Sequence, residues 1–213
     1  MKQFLVIIIF VFSTLAVSAQ DFTYGFLIGA NAYDSDISGG DLHGGDAYSA
    51  FGKDGFPLNI GVFGNYQLNQ SIGVKANLFY KGNYRSIDYF SADNPGLYYD
   101  FDTYISSIQF QPLFVFDVNK EYGKGFYLML GPGIDFKLNE NNLGDEVSDV
   151  EALYNNVNID ALLGFGFTFS KVLSMEFIAN YGLSNQLDSD LYETTTVGAY
   201  VNFLVNLTPL INK

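Results

Sequence analysis

His43 is the only histidine in the chain, and Asp46 and Ser49 follow it closely in sequence. A histidine, an acid and a hydroxyl are the parts with which a lipid-modifying or hydrolytic enzyme would work. Nothing in the flanking residues fixes their mutual geometry, and a histidine among loop residues reads as solvent-exposed. Elsewhere there is no nucleophile elbow, phosphate-binding loop or metal-ligand spacing. The sequence therefore predicts no catalytic residue, no enzymatic activity and no cofactor.

A second candidate is Asp34-Ser35-Asp36-Ile37-Ser38-Gly39, whose oxygen-bearing side chains Asp34, Asp36 and Ser38 alternate ahead of a turn glycine. That is how a calcium loop begins. The bidentate acid expected at its twelfth position is absent, since Gly45 stands there. The segment is carried forward only as a weak calcium candidate. The chain contains no cysteine, so disulfides and thiolate metal sites are excluded.

A third group is a set of charges set singly into apolar segments: Lys75, Lys81, Asp135, Lys137, Asp160 and Glu176. Opposite charges facing one another in a closed interior would pair, which offsets the cost of burying them. Lys75 and Glu176 lie toward one end of their segments, and Lys81, Lys137, Asp135 and Asp160 toward the other. The alternative use of such a network is a gated narrow pore.

The elements that must position these residues are strands. In 72–80 the residues Ile72, Val74, Ala76, Leu78 and Tyr80 alternate with Gly73, Lys75, Asn77 and Phe79. The same period of two runs from Phe126 to Lys137 and from Val157 to Phe169, whereas a helix would scramble these sets. Eight such segments follow one another: 22–32, 56–68, 72–84, 103–117, 125–138, 157–170, 173–184 and 195–207. Their length suits tilted membrane strands better than the ~5–6 residues usual in globular sheets. The connections alternate too. Residues 33–55, 85–102, 139–156 and 185–194 are long and polar; 69–71, 118–124 and 171–172 are short. Long loops at one end and tight turns at the other mark outer-membrane barrels.

Charge decides which face meets lipid. A water-facing exterior would carry many Lys and Glu, yet only 15% of the chain is charged and the polar face is mostly Gly, Asn, Ser, Gln and Thr. The apolar sets contain no charge at all, so they are assigned outward. Outward aromatics are expected in two belts: Tyr66, Phe116, Phe126 and Phe169 at the short-turn end; Tyr80, Tyr84, Tyr104, Phe136 and Tyr181 at the other. The loops hold 17 of the 23 acidic residues, opposed only by Lys53 and Arg85, within a net charge of −13. Such a surface repels nucleic acid and attracts cations or basic partners.

Residues 1–19 read as a secretory signal. Lys2 is followed by the apolar run Phe4–Phe12 and by the small residues Val17-Ser18-Ala19. Residues 20–213 form a single domain.

Several segments resemble the PorT-like family of small outer-membrane β-barrels. They are Tyr24-Gly25-Phe26-Leu27-Ile28-Gly29-Ala30-Asn31, Ala76-Asn77-Leu78-Phe79-Tyr80-Lys81-Gly82 and Ile108-Gln109-Phe110-Gln111-Pro112-Leu113-Phe114-Val115. Gly131-Pro132-Gly133 and Gly164-Phe165-Gly166 fall at the glycine-rich strands of that family. The chain departs from barrels that end on an aromatic residue, since it continues past Phe203 to Lys213. The resemblance implies an outer-membrane location, passage through the barrel assembly machinery and, in some members, a link to protein secretion.

The expected fold is an all-β, eight-stranded antiparallel up-and-down transmembrane β-barrel of the outer membrane with both termini periplasmic. Its partners would be outer-membrane lipid, the assembly machinery, and a surface ligand or a secretion-complex partner. Its interior, just wide enough for side chains to fill, leaves function to the acidic loops.

Overall fold

The computed structural model describes residues 22–38, 45–49, 58–90, 98–142, 154–188 and 193–211. Among these described residues nine strands run in the order β1 (Phe22–Ser38), β2 (Gly45–Ser49), β3 (Leu58–Gln67), β4 (Ile72–Phe90), β5 (Tyr98–Asp117), β6 (Gly125–Asn142), β7 (Val157–Thr168), β8 (Leu173–Gly182) and β9 (Glu193–Asn206). A single helical turn, α1 (Thr208–Ile211), follows them. Strands β1 and β3 to β9 each pair antiparallel with the next in that order, and β1 pairs with β9 from Gly25↔Asn206 to Ser38↔Glu193. The sheet therefore closes on itself as an eight-stranded antiparallel barrel. Closure removes the open edges that a bilayer would leave without hydrogen bonds.

β2 lies outside the count of barrel strands. It pairs with β1 from Tyr33↔Ser49 to Ile37↔Gly45, beyond the point where β3 stops pairing with β1 at Ala30↔Leu58. The wall on that side is thus continued by the β1–β2 hairpin. β4 and β5 likewise stay paired to Phe90↔Tyr98. The long loops expected over 33–55, 85–102 and 139–156 consequently begin later than their polar composition suggests. Backbone pairing there continues after the alternation of apolar residues has faded.

Two irregularities interrupt the ladder between β5 and β6. The register shifts by one residue between Ser106 and Ser107, which leaves Leu138 as the extra residue of a bulge. No partners pair between Phe110↔Ile134 and Phe114↔Leu130. Pro112 and Pro132 sit in that gap, and neither has an N–H to donate.

Alternation sorts the side chains as the outward assignment requires. Val74, Leu78, Leu128, Leu130, Ile159, Leu163, Phe165 and Phe177 are exposed on the outer surface, while Leu27, Phe79, Leu113, Met129, Leu162, Ile178 and Tyr200 fill the interior. Exposed aromatic rings ring both ends: Phe22, Tyr24, Phe116, Phe126 and Phe169 toward the short turns, and Tyr80, Phe136 and Tyr181 toward the long loops. Tyr66, Tyr84 and Tyr104 are only half exposed. Tyr104 lies over Gly82, where an added Cβ would come within 2.1 Å of its hydroxyl oxygen.

Candidate functional site

The interior is a stack of side-chain layers, set by which inward positions the strand stagger brings to one level. Nearest the short turns, the Lys75 ammonium of β4 pairs with the Glu176 carboxylate of β8. The Tyr127 hydroxyl donates to the same Glu176 Oε1 at 2.8 Å. Lys75 also lies 4.9 Å from the centre of the Phe63 ring and 5.9 Å from that of Tyr127, within cation–π range. Gly166 makes this packing possible, since a Cβ there would stand 2.3 Å from Tyr127 Cζ.

Above it lies a seal of Leu27, Phe79, Leu113, Met129, Leu162 and Ile178, all buried. Amides fill the gaps between them. Asn31 Nδ2 donates to Asn59 Oδ1 at 2.6 Å, Asn59 Nδ2 to Asn202 Oδ1 at 3.3 Å, and Asn77 Nδ2 to Gln111 Oε1 at 3.2 Å. Several of these amides are bonded at one end only, since Asn31 Oδ1, Asn77 Oδ1, Gln111 Nε2 and Asn202 Nδ2 are buried without a partner among the described residues.

The next layer is again ionic. Lys81 pairs with Asp135 and donates to the Tyr33 hydroxyl at 3.0 Å, and the Tyr33 hydroxyl in turn donates to that of Tyr200. Asp160 stands beside this cluster and accepts from Gln109 Nε2 at 3.4 Å. Lys137, expected in the same network, bonds elsewhere. Its ammonium reaches Glu140 Oε2 at 2.8 Å and also donates to the Tyr154 carbonyl.

Those last contacts belong to a cap across the long-loop end. Tyr154 bridges to Leu187, and the Asn155 amide donates to the carbonyls of Asn185 and Leu187, each at 3.0 Å. Arg85 holds the cap from below, donating to Gln186 Oε1 with its guanidinium carbon 5.0 Å from the centre of the Tyr154 ring. Burial pushes the Tyr154 phenol above its ordinary range despite the nearby Arg85 charge, so the ring stays neutral. Arg85, Tyr154 and Gln186 are the residues that sequence reasoning missed. Arg85 continues the inward series of Lys81 and Asn83, and that period of two was the signal available for it.

At the opposite end a cavity of about 370 Å³ opens between the short turns. Tyr122, from the β5–β6 turn, leans over it and donates to Asn65 Oδ1 at 2.5 Å. Burial raises the Tyr122 phenol far above its usual value, so it too remains protonated.

Of the remaining sequence candidates, only Asp34 and Asp36 have described side chains. Asp34 and Asp36 are exposed on β1, and Ser38 ends that strand. The weak calcium candidate Asp34, Asp36 and Ser38 thus lies on extended strand, with a ~3.4 Å rise per residue, and residues 39–44 of its loop and the Ser38 side chain lie outside the described residues. Among the described residues no group of three or more His, Asp or Glu could hold a metal. His43 lies outside the described residues, as do the side chains of Asp46 and Ser49 in β2.

Comparison with known families decides the class. Residues 18–188 match the family described as "Outer membrane protein beta-barrel domain". The chain belongs to this family. This outer-membrane barrel has no match among curated proteins. Solved structures similar to it include Neisserial surface protein A, at 12% identity with a TM-score of 0.48, covering 85% of this chain and 96% of that one. The outer membrane protein OprG of Pseudomonas aeruginosa is 11% identical with a TM-score of 0.49, covering 87% and 94% respectively. Ail, the attachment invasion locus protein of Yersinia pestis, is 14% identical with a TM-score of 0.41, covering 87% and 99%.

Proposed function

We propose that this outer-membrane barrel is a non-enzymatic scaffold that acts through the rim at its long-loop end, as an adhesive, structural or partner-binding protein. The observation that carries this reading is the filled interior. Two ionic clusters, an apolar seal between them and the Arg85–Tyr154 cap leave the lumen to side chains. Bulk passage of solutes has no route there, so function falls to the surface. At the long-loop end β1, β4, β5 and β6 run on past the Tyr80 and Phe136 belt as a raised wall. In this reading residues 1–19 direct export from a Gram-negative cytoplasm, both termini face the periplasm, and lipid and the assembly machinery are the obligatory partners.

Single-channel recording on the purified protein in a planar bilayer tests it. A silent bilayer is expected, and steady conductance would replace the scaffold by a narrow channel. The PorT-like segments support a second reading, an accessory barrel of a protein-secretion complex. Crosslinking in intact outer membranes followed by pull-down separates the two, since a secretion component captured there selects the accessory role.

A further inference from the structure

The cavity between the short turns has a chemical character that the scaffold role does not use. Its volume of about 370 Å³ falls within the range of small-molecule sites. Lys75, Lys124 and Lys171 line it against one acid, Asp117. Asp117 is 1% exposed and its Oδ1 accepts the Asn119 N–H, so it offers the cavity no oxygen. Lys75 is balanced by Glu176 behind it. Lys124 meets Glu121 at 3.2 Å on the exposed surface, where such pairs are weak. Lys171 forms no ion pair among the described residues.

The polar wall has used its acceptors and kept its donors. Asn65 Oδ1 accepts from the Tyr122 hydroxyl, Thr208 Oγ1 from the Tyr24 N–H and Asn206 Oδ1 from the Thr208 N–H. Among the lining amides only Gln67 keeps an uncommitted oxygen. The Asn65 Nδ2 hydrogens, the Thr208 hydroxyl hydrogen and the Lys171 ammonium have no acceptor among the described residues. Asn65 and Thr208 are half-exposed and Lys171 is exposed, so all three side chains are open to a ligand. An amide, a hydroxyl and an ammonium with hydrogens to donate match an oxyanion.

Charge is also segregated along the barrel. The long loops hold 17 of the 23 acidic residues, whereas the short turns 69–71, 118–124 and 171–172 carry Lys120, Lys124 and Lys171 against Glu121 alone. An anion is therefore repelled at one end and attracted at the other.

We infer that this cavity binds a small organic oxyanion, a phosphate ester or a carboxylate, held by Lys171, Asn65 and Thr208. The Phe63 and Tyr122 rings on the same walls pack against its carbon skeleton.

Isothermal titration of the full-length barrel in phosphatidylcholine nanodiscs tests the site with glycerol 3-phosphate and with succinate, against glycerol as the uncharged control. Saturable heat is expected from an anion and none from glycerol. Lys171→Gln removes the unpaired charge and should weaken anion binding about tenfold or more. Asn65→Asp keeps an oxygen for the Tyr122 hydroxyl but exchanges the amide donors for negative charge, and should abolish binding. Migration of unheated samples on a gel reports whether each variant is folded. Tighter binding of glycerol 3-phosphate than of succinate assigns the phosphate ester; the reverse assigns the carboxylate. For a phosphate, heat lost in phosphatidylglycerol discs assigns a lipid headgroup as the occupant, and heat retained there assigns a free solute. Absence of saturable heat with both anions, equal binding of glycerol, or anion binding unchanged in folded Lys171→Gln or Asn65→Asp overturns the site.

Discussion

Lys75 and Glu176 stand 101 residues apart in sequence and form an ion pair inside the barrel, their side chains 5% and 0% exposed. Neither charge reaches water, so each depends on the other. Removing one partner strands the second, which typically costs about 3–5 kcal/mol, whereas replacing both by apolar groups is often close to neutral. Lys75→Met and Glu176→Leu should each lower stability strongly, and the double variant should be more stable than either single one. Guanidinium unfolding of the protein in lipid vesicles measures all three. The double variant also removes the acceptor of the Tyr127 hydroxyl, so its recovery should be partial unless Tyr127→Phe is added.

Gly73 and Tyr122 form a second dependent pair at the short-turn end. A Cβ on Gly73 would stand 1.9 Å from the Tyr122 hydroxyl oxygen and 2.3 Å from its Cζ. Overpacking of this kind costs about 1–3 kcal/mol. Gly73→Ala should therefore destabilise the barrel by that amount and displace Tyr122 from Asn65. In a Tyr122→Ala background the same substitution should cost much less. A double-mutant cycle on unfolding free energies checks the coupling.

The outer surface offers a test of the membrane assignment that needs no partner. Leu163 lies near the middle of β7 and is 66% exposed, whereas Phe169 follows the strand in the aromatic ring at the short-turn end. Lysine at the bilayer midplane of a barrel costs about 2–4 kcal/mol and near an interface about 0–1. Leu163→Lys should lower the stability of vesicle-folded protein by the larger amount and Phe169→Lys by the smaller. Equal costs would mean that the strands do not cross the bilayer at the assigned depth.

The strands and their faces could be read from the sequence because the bilayer imposes two constraints at once. Backbone groups must pair, and every second side chain must be apolar. Lys75, Lys81, Asp135 and Glu176 were legible for the same reason, since a charge among alternating apolar residues has only the lumen to occupy. Which of them meet was not legible beyond Lys75 and Glu176. The stagger of the strands sends Lys81 to Asp135 and the β6 wall sends Lys137 to Glu140. Beyond the bilayer the second constraint lapses. Asp34, Asp36, Ser86 and Asp88 are polar residues in paired strands, so their composition imitates a loop. The Arg85–Tyr154 contact was hidden with them.

That contact carries the last prediction. The cap is a few residues on each side, held by the Tyr154↔Leu187 bridge, by Asn155 and by the Gln186 N–H donating to Thr194 Oγ1 at 2.7 Å. Arg85 links it to β4 through Gln186 and the Tyr154 ring, beside Lys137 and Glu140 of β6, which bond the Tyr154 backbone. Arg85→Leu removes the hydrogen bond and the cation–π contact, which is worth about 0.5–2 kcal/mol, but leaves the β4–β5 ladder untouched. The variant should thus fold normally while its cap opens more often. Hydrogen exchange at the Asn155 and Gln186 amides should speed up by about tenfold or more, with the amides of Leu78 and Phe110 unchanged. If the Lys81–Asp135 layer beneath is a sufficient seal, the opened variant remains silent in a planar bilayer. If the cap is the seal, Arg85→Leu conducts where the unaltered protein does not.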